Sequence, residues 1–144
     1  MAKTKMIVAL RDLESVESLV TLACQVANAR DAELLALHVV EVPMVTPIAA
    51  DDDVLDQPGK EILAKAQQHA AQNFSRKISV RLLRARQAGE AIVGEAQEWG
   101  ADCLVMGHRR LSLVGEILLG SSVQYVARHS PLQVIVEIPP VKQS

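Results

Sequence analysis

The chain is expected to fold as an α/β protein, with a five-stranded parallel sheet of order 3-2-1-4-5 and helices on both faces. Three observations predict this. Short apolar runs of strand length alternate along the chain with stretches whose apolar residues recur at helical spacing, the pattern of successive βαβ units. Apolar residues make up 49% of the sequence and aromatic residues only 2%, so the core must come from Val, Leu, Ile and Ala, as in parallel strands covered by Ala-rich helices. A length of 144 residues suits one domain, 1–144, with a sizeable core, and no internal repeat is visible. A domain cut from a larger protein has the same appearance.

The first strand runs from Lys5 to Leu10 (KMIVAL), and Arg11-Asp12-Leu13 is its turn. Ser15 is the candidate N-cap of a helix whose apolar residues Val16, Leu19, Val20, Ala23, Cys24 and Ala27 share one face, and Arg30-Asp31 ends it. Glu33 to Val40 (ELLALHVV) is a second buried strand, which completes a right-handed βαβ unit. Residues 41–58 hold Pro43, Pro47, Pro58 and the acidic triplet Asp51-Asp52-Asp53, and predict a loop. Consecutive residues rarely converge on one ion, so the triplet is read as solvated rather than as a cation site. Residues 59–74, with Ile62, Leu63, Ala66, Ala70 and Phe74, predict the second helix. Ile78 to Ala85 (ISVRLLRA) alternates enough to predict a strand near a sheet edge. Ala88 to Trp99 predicts a helix with Ala88, Ile92, Ala96 and Trp99 on one face, and Gly100 follows as its C′ residue. Ala101 to Met106 is the fourth strand. Val123 to His129 continues the last helix, Pro131 stops it, and Leu132 to Ile138 (LQVIVEI) is the fifth strand.

Several function classes are disfavoured. A net charge of −2 without a long basic run argues against nucleic-acid binding. Cys24 and Cys103 lie within apolar segments and are expected to be reduced core residues. The histidines and cysteines lack metal-ligand spacing, and there is neither a G-x-S-x-G nucleophile elbow nor a G-x-x-x-x-G-K-[ST] phosphate loop. No assembled nucleophile, base and oxyanion set is visible, so catalysis beyond slow hydrolysis of a bound nucleotide is not expected. Glu90, Glu95 and Glu98 are read as a solvated helix face, and His38 as a packed or hydrogen-bonded core histidine. His69 and His129 are assigned no chemistry. No apolar run reaches the roughly 18 residues of a membrane helix, and no signal peptide is recognisable, so membrane insertion is not expected and a cytoplasmic location is.

The chemistry points to residues 102–123, DCLVMGHRRLSLVGEILLGSSV. An apolar strand ends at Met106, breaks at Gly107, passes His108, Arg109 and Arg110, and a helix begins at Gly120-Ser121-Ser122-Val123. The serines are candidate caps. Free N–H groups and the positive dipole end of such a helix make an anion site. His108 is either a ligand contact or a solvent-facing residue. A strand end meeting a helix start in an open α/β sheet is the usual place for a small-ligand crevice.

These residues resemble a universal stress protein domain, and the resemblance covers essentially the whole length. It is carried by LLALHVVEVP (34–43), GADCLVMGHR (100–109) and LLGSSVQYVARHSPLQVIV (118–136). It implies a Rossmann-like fold of the adenine nucleotide alpha hydrolase-like kind and a stress-response role. The ATP-binding branch of that family is marked by Gly, two residues, Gly, nine residues, then Gly-Ser or Gly-Thr. Here Gly107 and Gly120-Ser121 hold the outer positions, but Arg110 stands at the middle glycine. The family's first strand commonly reads V-A-V-D-G-S-E, with the Asp facing the nucleotide. Ungapped alignment from Val8 to Leu34 puts Arg11 at that Asp, whereas a one-residue slip would put Asp12 there. The family's Gly-x-Pro-type turn before the third helix is replaced by Arg86-Gln87-Ala88.

The candidate nucleotide- or anion-binding set is therefore Ala9, Leu10, Arg11, Val39, Met106, Gly107, Arg109, Arg110, Gly120, Ser121, Ser122 and Val123. Candidate ligands are ATP, AMP, another mononucleotide, a cyclic nucleotide or an inorganic anion. Arg11, Arg109 and Arg110 could pair with phosphate at the helix start without needing Mg²⁺. They could instead point to solvent, or fill the pocket by pairing with Asp12 or Glu116. Val134, Ile135 and Val136 form an apolar run on an edge strand, which invites a second copy, and the resemblance implies a homodimer through that strand. Two readings follow: a stress-response module that senses a nucleotide or other anion with altered specificity, and a ligand-free dimeric docking protein that regulates, for example, a transporter or kinase.

Overall fold

The computed structural model describes residues 3–49, 53–108 and 120–140. Asp51, Asp52, Arg109, Arg110 and Glu116 lie outside them. The elements in chain order are β1 (Lys5–Ala9), α1 (Val16–Arg30), β2 (Glu33–Glu41), α2 (Asp53–Phe74), β3 (Ser79–Ala85), α3 (Ala88–Trp99), β4 (Cys103–Gly107), α4 (Ser121–His129) and β5 (Gln133–Glu137). The strands form one five-stranded sheet of order β3-β2-β1-β4-β5, and the pairings are parallel. This is the expected architecture and strand order.

Alternation along the buried strands divides the core between two faces. Met6 and Val8 of β1 pack with Leu19, Val20 and Cys24 of α1 and with Ile62, Leu63 and Ala66 of α2. Ile7 packs on the opposite face with Leu35, Leu37, Leu104 and Met106, against Ile92, Val93 and Ala96 of α3 and Val123 and Val126 of α4. Each face is built from branched aliphatic residues and alanine, as the composition predicted. Cys24 and Cys103 are free and buried, and burial pushes both thiols up. Among the described residues no helix is long and apolar enough to cross a membrane.

Four local expectations are corrected. The segment 41–58 is not all loop, because α2 begins at Asp53 rather than at residue 59 and carries Pro58 inside it. A proline there removes one helical hydrogen bond, toward Val54, near the helix end rather than its middle. Asp53 and Asp56 in the first turn favour the positive end of the helix. Ser15 occupies the N-cap position of α1 but makes no side-chain cap bond. Asp12 organises that turn instead, its Oδ1 accepting the Ser15 N–H at 2.9 Å. Ser121 and Ser122 do not cap α4 either, because the cap position with extended backbone belongs to Gly120, at φ −67° and ψ 161°. Finally, Glu95 is not on a solvated face: it is 8% exposed and paired with Arg81 of β3.

The edge strand β3 is thus held from both sides of the sheet. Arg81 reaches Glu95 of α3, and Arg84 reaches Asp56 of α2, its Nε donating to Asp56 Oδ1 at 2.9 Å. The hydrogen bond from Arg84 holds the Asp56 carboxyl below its usual range, outweighing the opposing effect of burial. A depressed folded-state pKa contributes stability above the unfolded value, about 4, and loses it as pH falls through the folded value. Asp56→Asn is therefore expected to flatten the decline of stability below about pH 4. Urea titrations of both proteins between neutral and acid pH measure this, and parallel pH profiles would contradict it.

Candidate functional site

The crevice arises at the switch point of the sheet, where the chain leaves β1 on one side and β4 on the other. Ala9 and Met106 are the last residues paired between these two strands. Beyond them the main chains part. The Leu10 N–H donates to the Leu37 carbonyl of β2 at 2.8 Å, and the His108 N–H donates to the Glu137 carbonyl of β5 at 2.9 Å. Each loop is drawn toward its outer neighbour, which opens a gap between them.

The candidate residues divide by depth and by face. Ala9, Val39, Met106 and Val123 belong to the apolar cluster on the α3/α4 side, with Ala9 and Val39 only half-buried. Leu10 packs in the opposite cluster, so only its main chain belongs to the rim. Gly107 also faces the α1 side: a Cβ there would lie 2.8 Å from Leu19 Cδ1, so a larger residue would require the Leu19 side chain to shift. Arg11 is exposed, and among the described residues it forms no ion pair. Asp12, the alternative occupant of its place, is engaged with the Ser15 N–H instead.

Arg11, His108 and the start of α4 converge. A Cβ built on Gly120 would stand 4.0 Å from Arg11 Nη1, 3.8 Å from His108 Cε1 and 3.9 Å from His108 Nδ1. Gly120 accepts the Gln124 N–H through its carbonyl at 3.0 Å, while among the described residues nothing accepts the N–H groups of Ser121, Ser122 or Val123. Those donors, the helix dipole and the guanidinium make a site of positive potential. The sequence allows His108 either a ligand contact or a solvent-facing place. It is not solvent-facing, being 7% exposed, and among the described residues its enclosed Nε2 has no hydrogen-bond partner. Leaving a buried polar atom unpaired costs about 1–3 kcal/mol.

Two residues outside the candidate set shape the adjoining wall. Arg86 Nη1 donates to the carbonyls of Val42, Pro43 and Thr46 and ties down the chain after β2. Glu41 Oε2 accepts the Ala88 N–H at 3.3 Å, filling the first turn of α3 with its own carboxylate. Between α3 and α4 lies a cavity of about 430 Å³ lined by Glu41, Gln87, Ser121, Ser122, Tyr125 and His129 among others. It shares the two serines with the crevice. The basic residue at 86 was visible as a departure from the family turn, but its three carbonyl partners depend on a loop fold the sequence does not spell out.

His38 is hydrogen-bonded, as expected. His38 Nδ1 lies 2.7 Å from the Leu10 carbonyl, which can only accept, so that nitrogen carries the proton. His69 Nε2 meets Thr21 Oγ1 at 2.8 Å between α1 and α2. Among the described residues no cluster of His, Cys, Asp or Glu could hold a metal ion.

The similarities to known proteins agree with this geometry. The model of the universal stress protein family matches residues 3–137. A universal stress protein from Methanocaldococcus jannaschii is 31% identical over 127 residues, covering 84% of this chain and 74% of the relative. The structure of a universal stress protein from Archaeoglobus fulgidus superposes with a TM-score of 0.76 at 20% identity, over 94% of this chain and 98% of its own. A structure from the same organism in complex with dAMP gives a TM-score of 0.72 at 20% identity, over 94% and 98%. A universal stress protein in complex with cAMP gives 0.70 at 28% identity, over 96% and 98%. With the family model matched over residues 3–137, a relative 31% identical and the strand order together, this chain belongs to the universal stress protein family.

Proposed function

We propose that the protein is a cytoplasmic regulatory module, not an enzyme, that binds an adenine nucleotide bearing one phosphate in the crevice between β1 and β4. The observation that carries this reading is the amino end of α4, unpartnered among the described residues, set beside Arg11. A phosphate on those N–H groups gains hydrogen bonds and dipole attraction together. The base and ribose then have the half-buried Ala9 and Val39 beneath them and the cavity toward Glu41 beside them. The neighbour solved with cAMP supports the ligand class at 28% identity. The one solved with dAMP shares the fold. Calorimetry with AMP, cAMP, ATP and adenosine tests the proposal. AMP and cAMP are expected to bind, with or without Mg²⁺, and adenosine to bind more weakly. No heat and no thermal shift at millimolar nucleotide would remove it.

A second reading concerns assembly. β5 pairs with β4 on one side, and among the described residues its other edge pairs with no strand. Val134 and Val136 pack toward the α3/α4 core and Ile135 toward the α1/α2 core, so this edge would offer main-chain groups flanked by aliphatic side chains. Homodimerisation through β5 follows, and such a dimer is the form in which the module would dock a protein partner. Light scattering is expected to give twice the chain mass of 15.6 kDa, and a clean monomer would refute it.

A further inference from the structure

The pairing of β1 with β2 ends at Ala9 and Leu37, yet β2 still holds the next residue at both of its main-chain groups. The Leu10 N–H donates to the Leu37 carbonyl at 2.8 Å. A parallel ladder would then give the Leu10 carbonyl the Val39 N–H. Among the described residues its donor is instead the His38 side chain, with Nδ1 2.7 Å away. The half-buried imidazole has little room to retreat, because its Cδ2 edge faces Gly59 of α2, where a Cβ would lie only 2.6 Å from it. A side chain thus continues the sheet for one rung after the strand has ended. It does so from the α1/α2 face, opposite Ala9 and Val39.

The Leu10 carbonyl shares a planar peptide with the Arg11 N–H, so fixing that carbonyl fixes the plane from which Arg11 starts. Arg11 is exposed and brings Nη1 to 4.0 Å from a Cβ built on Gly120. Among the described residues no ion pair holds its side chain there, so its reach depends on where its main chain begins. We infer that His38 is a positioning residue for the crevice: by donating Nδ1–H to the Leu10 carbonyl it sets the Leu10–Arg11 peptide, and with it the point at which the Arg11 guanidinium meets a bound anion. This rests on the nucleotide reading given above. His38 acts from the other face of the sheet through one peptide group, without touching the ligand.

The experiment separates this role from packing. Calorimetry with AMP and urea unfolding are run on the wild-type protein, His38→Ala, His38→Asn, Arg11→Ala and the double variant with alanine at both positions. Both His38 variants lose the ring that packs against Gly59 and Leu82, so both are expected to be less stable. They differ in the donor, because the asparagine amide presents an N–H near the place of Nδ1. His38→Ala is expected to weaken AMP about three- to tenfold, as the loss of one hydrogen bond does, and to move the backbone resonances of Leu10 and Arg11. His38→Asn is expected to recover most of that affinity despite its lower stability. In the Arg11→Ala background, His38→Ala should have little further effect on AMP. If affinity instead follows stability through the set, or the His38 and Arg11 losses add, this assignment falls and the nucleotide reading survives. If the wild type binds no AMP at millimolar concentration, both fall. His38→Leu, which fills the space without a donor, takes the place of His38→Ala if the alanine variant does not fold.

Discussion

Leu37→Ala is expected to destabilise the protein by about 2–5 kcal/mol, the range for removing a large aliphatic side chain from a closed core. Leu37 is fully buried on the α3/α4 face of β2 and is paired with Ala9 on one side and Arg81 on the other. Its carbonyl accepts the Leu10 N–H that bends the β1 loop outward. Alanine keeps that carbonyl, so the opening between the strands should survive while the packing under it fails. Urea unfolding reads the stability, and nucleotide affinity measured well below the transition reads the crevice. A loss under about 1 kcal/mol would mean that the aliphatic core closes over the vacancy, which a core so poor in aromatic residues could do only by shifting helices.

Gly59→Ala is the second large effect, and here two opposing magnitudes must be weighed. Alanine is the better helix former by about 1 kcal/mol. Yet a Cβ at this position would lie 2.6 Å from both His38 Cδ2 and Leu82 Cδ1. His38 cannot give way freely, because its Nδ1–H is committed to the Leu10 carbonyl at 2.7 Å. Overpacking against a fixed ring costs typically 1–3 kcal/mol, so after the propensity gain a net destabilisation of up to about 2 kcal/mol is expected. Combining Gly59→Ala with His38→Ala should cost less than the sum of the single changes, since the second removes the obstacle to the first. Strict additivity would show that the ring is not what excludes the methyl group.

How far these features were legible depends on whether they are local. The inner strands β1, β2 and β4 are legible as apolar runs buried on both faces, while the edge strands β3 and β5 are only partly buried and β3 shows it as alternation. The start of α2 was hidden by Pro58 and the acidic residues before it, which normally punctuate a chain. Only the contacts of Asp56 with Arg84 and of Gly59 with His38 show why the helix starts earlier. Glu95 looked solvated because its partner is an arginine far away in sequence, on the neighbouring strand. Arg11 could be assigned to the rim from the ungapped spacing to β2, and it stands there beside Gly120. The burial of His108 could not be foreseen, since it depends on which neighbour draws the loop after β4.

That last dependence has an evolutionary consequence. The hollow at the switch point is opened by main-chain bonds from Leu10 to β2 and from His108 to β5, and any amino acid except proline can supply such an N–H. The hollow is therefore inherited with the topology, while its occupants are free to drift. A lineage can exchange an acid for an arginine, or a glycine for an arginine, and retune what the hollow admits without having to invent a new one.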